Sequence, residues 1–210
     1  MADDKHDYCI AGNLRPADWK KRKSELNNGG SNELWEKTFN EFLEKRISLR
    51  YLKPIKIIQD NAKLQGEGFT IVSIQCALIE FLAALIIGKN YKYTRCGKSL
   101  TQYEYSNSNE LFCNFLVSEE PFKNWFLNKD SAKNFYENVR CALLHEARTK
   151  NGWRILASGD KGVDVQKKIV WRNALQGAIE GYIQSYGQLL KQDKSVQEAF
   201  IRKFDHLADL

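Results

Sequence analysis

The stretch "FTIVSIQCALIEFLAALIIG", Phe69 to Gly88, decides how the rest of the chain is read. At about 1.5 Å per residue a helix of this length reaches across a bilayer. Gln75 and Glu80 fall inside it, however, and a carboxylate at mid-bilayer is costly. A helix that is apolar nearly all round is also what the centre of a bundle needs. The stretch is therefore read as a buried core helix, with no membrane involved. A buried Glu80 needs a partner, because an isolated charge away from water is expensive. Arg140 is the named candidate.

Upstream, residues 1–30 read as an appendage. "RPADWKKRKSEL" suits a short basic helix with Pro16 in its first turn, and "NNGGS" interrupts the chain after it. The Lys20–Lys23 cluster is read as a solvated face before a nucleic-acid patch. From Ser31 onward the sequence reads as one helical domain, residues 31–210. Ser31 or Asn32 can cap a helix on which Leu34, Trp35, Thr38, Phe39, Phe42 and Leu43 recur at helical spacing. The pattern runs to a kink at Pro54 and resumes towards Leu64. "QGEG" is a turn into the core helix.

Downstream, residues 89–105 lack clean periodicity and read as a loop. A helix is expected near 107–117 and a shorter one in "EEPFKNWFLN". Next comes a helix capped by Asp130 or Ser131 and stopped at Asn151-Gly152. "WRILASGDKGVDVQ" reads as two extended runs forming a hairpin. Helices from about Trp171 to Lys191 and through "SVQEAFIRKFDHL" close the chain. The expected class is all-α, a helical bundle with a small β-hairpin.

The chain has 210 residues, enough for one domain with a real core, and its 43% apolar and 28% charged residues fit a soluble globular protein. The five cysteines are scattered without a C-x-x-C pair, which argues against a disulfide framework or a zinc site and suits a reducing cytosol. "MADDKHDYCIAG" has no signal-peptide pattern, so a cytoplasmic protein is expected. The net charge of +6 favours a polyanionic partner, RNA or DNA. No H-E-x-x-H, paired aspartate motif, Walker loop or G-x-S-x-G occurs, so metalloprotease, P-loop and serine-hydrolase chemistry have no motif to stand on, and no cofactor is expected.

What remains is "NFYENVRCALLHEARTKNGW", Asn134 to Trp153, where Arg140 and His145 share one helix. At about 100° per residue, Phe135, Tyr136, Val139, Ala142, Leu143 and Ala147 form one apolar arc, with Arg140 at its edge and His145 at about 140° from the arginine. Cys141 and Leu144 lie between the two, a second apolar patch that a second protomer or another helix would cover. Arginine's planar fork suits phosphate oxygens, and histidine moves protons near neutrality. Together they could hold a phosphodiester and shift the proton of a ribose 2′-hydroxyl. The bland alternative is a structural Arg140–Glu80 pair, with His145 placed at the negative end of its helix.

The stretch resembles the HEPN superfamily, whose mark is an arginine, four to six intervening residues and a histidine near a helix end. The resemblance rests on "VRCALLHEA", the preceding Phe135-Tyr136, the following Asn151-Gly152-Trp153 and the apolar helix upstream, and covers about residues 31–207. It implies a helical bundle with extra C-terminal helices that dimerises with both motifs facing one cleft. It further implies a metal-independent endoribonuclease, with Arg140 and His145 catalytic, of the kind found in toxin–antitoxin pairs and antiviral defence. RNA, a second copy and an antitoxin or activating protein are the implied partners. Two positions depart from the pattern. Cys141 follows the arginine where active members commonly carry a polar residue, and Ala147 stands where one toxin subtype carries tyrosine. Arg148, Lys150 and Arg154 could extend the grip on phosphate, or be exposed cations past a helix end. The alternative function is a degenerate HEPN module that binds RNA, a nucleotide or a protein. Outside the superfamily, an interaction protein is the remaining reading.

Overall fold

The computed structural model describes residues 8–61, 65–94 and 99–210. His6, Leu64 and Cys96 lie outside the described residues. The chain is mostly helical, 65% helix against 7% strand, which establishes the all-α-dominated class. Its helices are α1 (Pro16–Asn27), α2 (Asn32–Thr38), α3 (Lys45–Ile47), α4 (Lys53–Asp60), α5 (Glu67–Ile86), α6 (Ser108–Ser118), α7 (Lys129–Phe135), α8 (Ala142–Glu146), α9 (Arg172–Gln192) and α10 (Lys194–Leu207). Its strands are β1 (Asn90–Tyr91), β2 (Glu104–Tyr105), β3 (Arg154–Leu156), β4 (Val163–Asp164) and β5 (Ile169–Trp171). Contacts group the chain into two compact units: Met1–Pro54 with Ala84–Glu104 and Gln184–Leu210, and Ile55–Ala83 with Tyr105–Ile183.

In the first unit α1 begins at Pro16, and Asp18 accepts the Arg15 amide hydrogen bond at 2.7 Å. The sequence sets this helix apart as an appendage, but its packing is that of a core element. Trp19 is fully buried, 5.3 Å from Phe42 and 5.2 Å from Phe204 between ring centroids, and its indole donates to Asp205 at 2.9 Å. Of the basic cluster, Lys20 and Lys21 face solvent, while Arg22 is buried and donates to Glu41 and Thr38. Ser31 caps α2 by accepting from Leu34. The helical path then continues through two wide π-type turns, Phe39–Glu44 and Ser48–Leu52, before α4 takes up the chain at Lys53-Pro54. Gly88 ends α5 with φ +64°; a Cβ there would stand 2.6 Å from the Ala199 Cα, so only glycine permits that approach. The 89–105 segment, expected as loop, carries the short β1–β2 ladder.

In the second unit α5 is the core helix that its sequence demands. Ile71, Val72, Leu78, Ile79 and Leu82 are buried, and so is Gln75, whose amide donates to the Arg172 carbonyl at 2.8 Å and to Gln176 at 3.0 Å. Among the described residues α5 is the one helix long and apolar enough to cross a bilayer, yet more than half of that window is buried inside the protein. The same unit also holds an aromatic core: Phe112 stacks on Phe135 and meets Tyr136 edge-on, and Phe135 meets Trp153.

The expected hairpin is corrected. Both extended runs exist as β3 and β4, but they do not pair with each other. The sheet order is β3-β5-β4, with β5 parallel to β3 and antiparallel to β4. The strand that joins them, Ile169–Trp171, lies where the spacing predicts the approach to the following helix, because "IVW" is apolar enough for either element. The expected helix in "EEPFKNWFLN" is a single 3-10 turn at Phe122–Asn124.

Candidate active site

Between Lys129 and Glu146 the expected helix is built in three pieces: α7, a wide π-type turn over Tyr136–Cys141, and α8. Its cap is Asn128, whose side chain accepts from Ser131, in place of Asp130 or Ser131. It stops at Glu146, well before Asn151, because Ala147 turns left-handed at φ +52°. The expected arc holds for Phe135, Tyr136, Val139, Ala142 and Leu143, all buried. Ala147 is exposed and leaves the arc. A π turn widens the spiral and changes the register that a uniform 100° step assumes. Wide turns also occur in the first unit, so this one carries no functional weight alone.

Arg140 sits on the wide turn with its side chain 20% exposed, and one guanidinium N–H donates to Glu80 on α5 at 2.8 Å. The partner that Glu80 requires is therefore the arginine expected from sequence. The guanidinium also lies 5.3 Å from the centroid of the Tyr136 ring. Burial alone would lower the Arg140 pKa, but the Glu80 carboxylate outweighs it and holds the charge more firmly than usual. Burial pushes the neighbouring Cys76 thiol up to about 12 and the Tyr136 phenol up to about 12. Both groups stay neutral beside the guanidinium. A cleft of about 200 Å³ opens beside Arg140, walled by Ser73, Cys76, Ala77, Leu143 and Leu144.

His145 is exposed near the end of α8 and does not line that cleft. Leu144 beside it is 63% exposed, and Cys141 is half-buried. The structure thus places the motif pair on one short helical stretch and joins them by no hydrogen bond. Arg148 and Lys150 follow, both paired with Glu146, Arg148 at 3.3 Å. The Lys150 hydrogen bond, above all, holds the Glu146 carboxyl below its ordinary range. Arg154 lies apart on β3, exposed. The three expected phosphate-gripping cations therefore do not form one open cluster: two share a carboxylate.

Sequence reasoning missed the residues that hold this segment in place. Asn138 is buried; its amide donates to the Asn134 carbonyl at 2.8 Å and its oxygen accepts from the Asn151 amide at 2.6 Å. Its backbone carbonyl accepts from the Lys150 N–H at 2.9 Å. Asn134 accepts the Trp153 indole N–H at 2.9 Å. Residues 147–153 are thereby pinned against the turn that carries Arg140. The available signal was an asparagine set inside an apolar run, where an unpaired amide would be costly.

Among the described residues, no group of three or more His, Cys, Asp and Glu side chains could hold a metal ion. Compared with known proteins, the chain matches no family model, no curated protein and no solved structure.

Proposed function

We propose that this protein is an endoribonuclease of the HEPN type, working without a metal ion in a toxin or antiviral-defence role. The observation that carries the reading is Arg140: a cation with its charge secured by Glu80, lining a cleft, a short way along the helix from an exposed histidine. In this reading Arg140 binds a non-bridging oxygen of the scissile phosphate. His145 takes or gives the proton. The ribose 2′-oxygen forms a bond to phosphorus while the bond from phosphorus to the 5′-oxygen breaks, and that oxygen leaves protonated. The products end in a 2′,3′-cyclic phosphate and a 5′-hydroxyl. Arg148, Lys150 and Arg154 steady the flanking phosphates.

The exposed Leu144 and half-buried Cys141 beside Arg140 support a homodimer in which a second copy covers this patch and brings its own motif to the same cleft. Light scattering on wild type and Leu144→Glu tests this: a dimer is expected for the first and a monomer for the second. The same reading puts the protein in the cytoplasm, with an antitoxin or activator as a further partner.

A second reading has its own support. The ion pair that secures Arg140 also occupies it, and Cys141 is a weak donor beside it. A degenerate module that binds RNA, a nucleotide or a protein without cutting fits those two facts. Purified protein incubated with single-stranded RNA in excess EDTA separates the readings. The ribonuclease reading expects cleavage, with cyclic-phosphate ends, that His145→Ala removes. Binding without cleavage, together with activity gained by Cys141→Asn, supports the degenerate module.

A further inference from the structure

A second cleft lies in the unit formed by Ile55–Ala83 and Tyr105–Ile183, and it shares no lining residue with the cleft at Arg140. It measures about 370 Å³, within the range of small-ligand sites. Two sequence segments make it, "NWFLNKDS" from Asn124 to Ser131 and "KGVDVQ" from Lys161 to Gln166.

One wall is the Trp125 ring. It is half-buried and is met edge-on by Phe122, with centroids 5.9 Å apart. Its six-membered ring lies over Gly162, where a Cβ would come within 2.3 Å of it. The glycine therefore sets where the indole stands. The indole N–H makes no hydrogen bond among the described residues. At the rim Leu127 is 84% exposed and adds an apolar edge.

The polar lining is spare in a specific way. The Asn128 oxygen is used by the Ser131 N–H at 2.9 Å, but its NH₂ group has no partner among the described residues. The Gln166 amide likewise has none, and it is exposed. Lys161 donates to Asp164 at 2.9 Å with its side chain 43% exposed, leaving further ammonium hydrogens for a ligand. The Lys167 N–H first, and Lys161 next, hold the Asp164 carboxyl below its ordinary range, so it stays ionised and keeps the 161–167 turn closed.

An aromatic face, two uncommitted amides and an ammonium group are what recognise an unpaired nucleotide: the base stacks, its edge bonds to amides and its phosphate meets the cation. We propose that this cleft takes one nucleotide unit, the base against Trp125, the base edge on Asn128 and Gln166, and the phosphate on Lys161. The source is either a free mononucleotide or an unpaired residue of an RNA strand. Such a site is separate from the cleavage chemistry and stands whether or not RNA is cut.

The test titrates the intact protein with AMP, UMP, a six-nucleotide single-stranded RNA whose 2′-oxygens are methylated so that it cannot be cut, and, as a control for sugar binding, methyl glucoside. Intrinsic fluorescence and calorimetry are read together. Saturable binding of a mononucleotide or of the RNA is expected, weakened about tenfold or more by Trp125→Ala, in line with base stacking. Gln166→Ala, at an exposed side chain, weakens it severalfold with an unchanged circular dichroism spectrum, which covers the case of a misfolded Trp125→Ala. Binding of mononucleotides marks the free-ligand source, and binding of the RNA alone marks the strand. Absence of saturable binding up to about 10 mM of either, affinity indifferent to both substitutions, or preference for the glucoside overturns the proposal. Cleavage by wild type in EDTA is scored separately, so a failed nucleotide site and a failed nuclease are told apart.

Discussion

Arg140 and Lys203, one in each compact unit, are both largely taken out of water, and their pKa values move in opposite directions. Arg140 has Glu80 at 2.8 Å and holds its proton more firmly than a free arginine. Lys203 on α10 is 6% exposed and gives a hydrogen bond to the Lys89 carbonyl at 2.9 Å; burial first, and Arg46 next, bring its pKa down to about 8. The Glu80 carboxylate outweighs burial at Arg140, whereas at Lys203 burial prevails and the Arg46 charge adds to it. The lesson for function is that Arg140 keeps its charge where a buried amine begins to lose it. A group that is to meet a phosphate needs that charge.

The strongest way to break this contrast is to remove the two motif side chains separately. Arg140→Ala strands the Glu80 carboxylate and is expected to cost about 3 kcal/mol of stability, read by urea denaturation. It should also lower the cleavage rate about a hundredfold, the scale of a lost charge-stabilising group. His145→Ala, at an exposed position, should lower the rate roughly 10²–10⁴-fold and leave the urea midpoint where it was. Equal stability losses for the two variants would mean that Arg140 is no more structural than His145.

The Lys203 side of the contrast has a pH signature. Its folded pKa of about 8 lies below its ordinary 10.5, so between these values the unfolded chain holds the extra proton. Stability should therefore rise as pH goes from about 8 to about 10, by roughly 2 kcal/mol, and the rise should vanish in Lys203→Met. A flat wild-type profile over that window would show that the amine is not desolvated. The smallest expected effect belongs to the pin behind the motif. Asn138→Ala removes two part-buried side-chain hydrogen bonds and should cost about 1–2 kcal/mol, with faster amide exchange at Lys150 as the local readout.

The long helices are well marked in the sequence, for identifiable reasons. The apolar run of α5 and the 3.6-residue spacing of α9 and α10 leave few alternatives, and Ser31 and Gly88 mark ends by cap chemistry. The motif helix is harder to read. Asn128, Asp130 and Ser131 are three candidate caps in one turn, and side-chain type alone does not rank them. The wide turn leaves no trace in a periodicity scan, and Ala147 adopts a left-handed backbone usually given to glycine or asparagine. The order of the sheet is hidden because β5 abuts a helix start without a break. At the site, Glu80 and Arg140 are legible as a pair because a lone charge in an apolar helix demands its opposite. Asn138 and Asn134 are not, since their work is to hold a loop whose path no local pattern encodes.

The central claim, that the attacking oxygen belongs to the RNA and is served by Arg140 and His145, is tested most directly by one substrate change. A single-stranded RNA is incubated with wild-type protein in excess EDTA, the scissile position is mapped, and the same strand is made with one 2′-deoxy nucleotide there. The expected result is cleavage of the first strand to cyclic-phosphate ends and none at the deoxy position. Continued cleavage at the deoxy position, or loss of all cleavage on adding EDTA, would contradict a metal-free attack by the RNA's own 2′-oxygen.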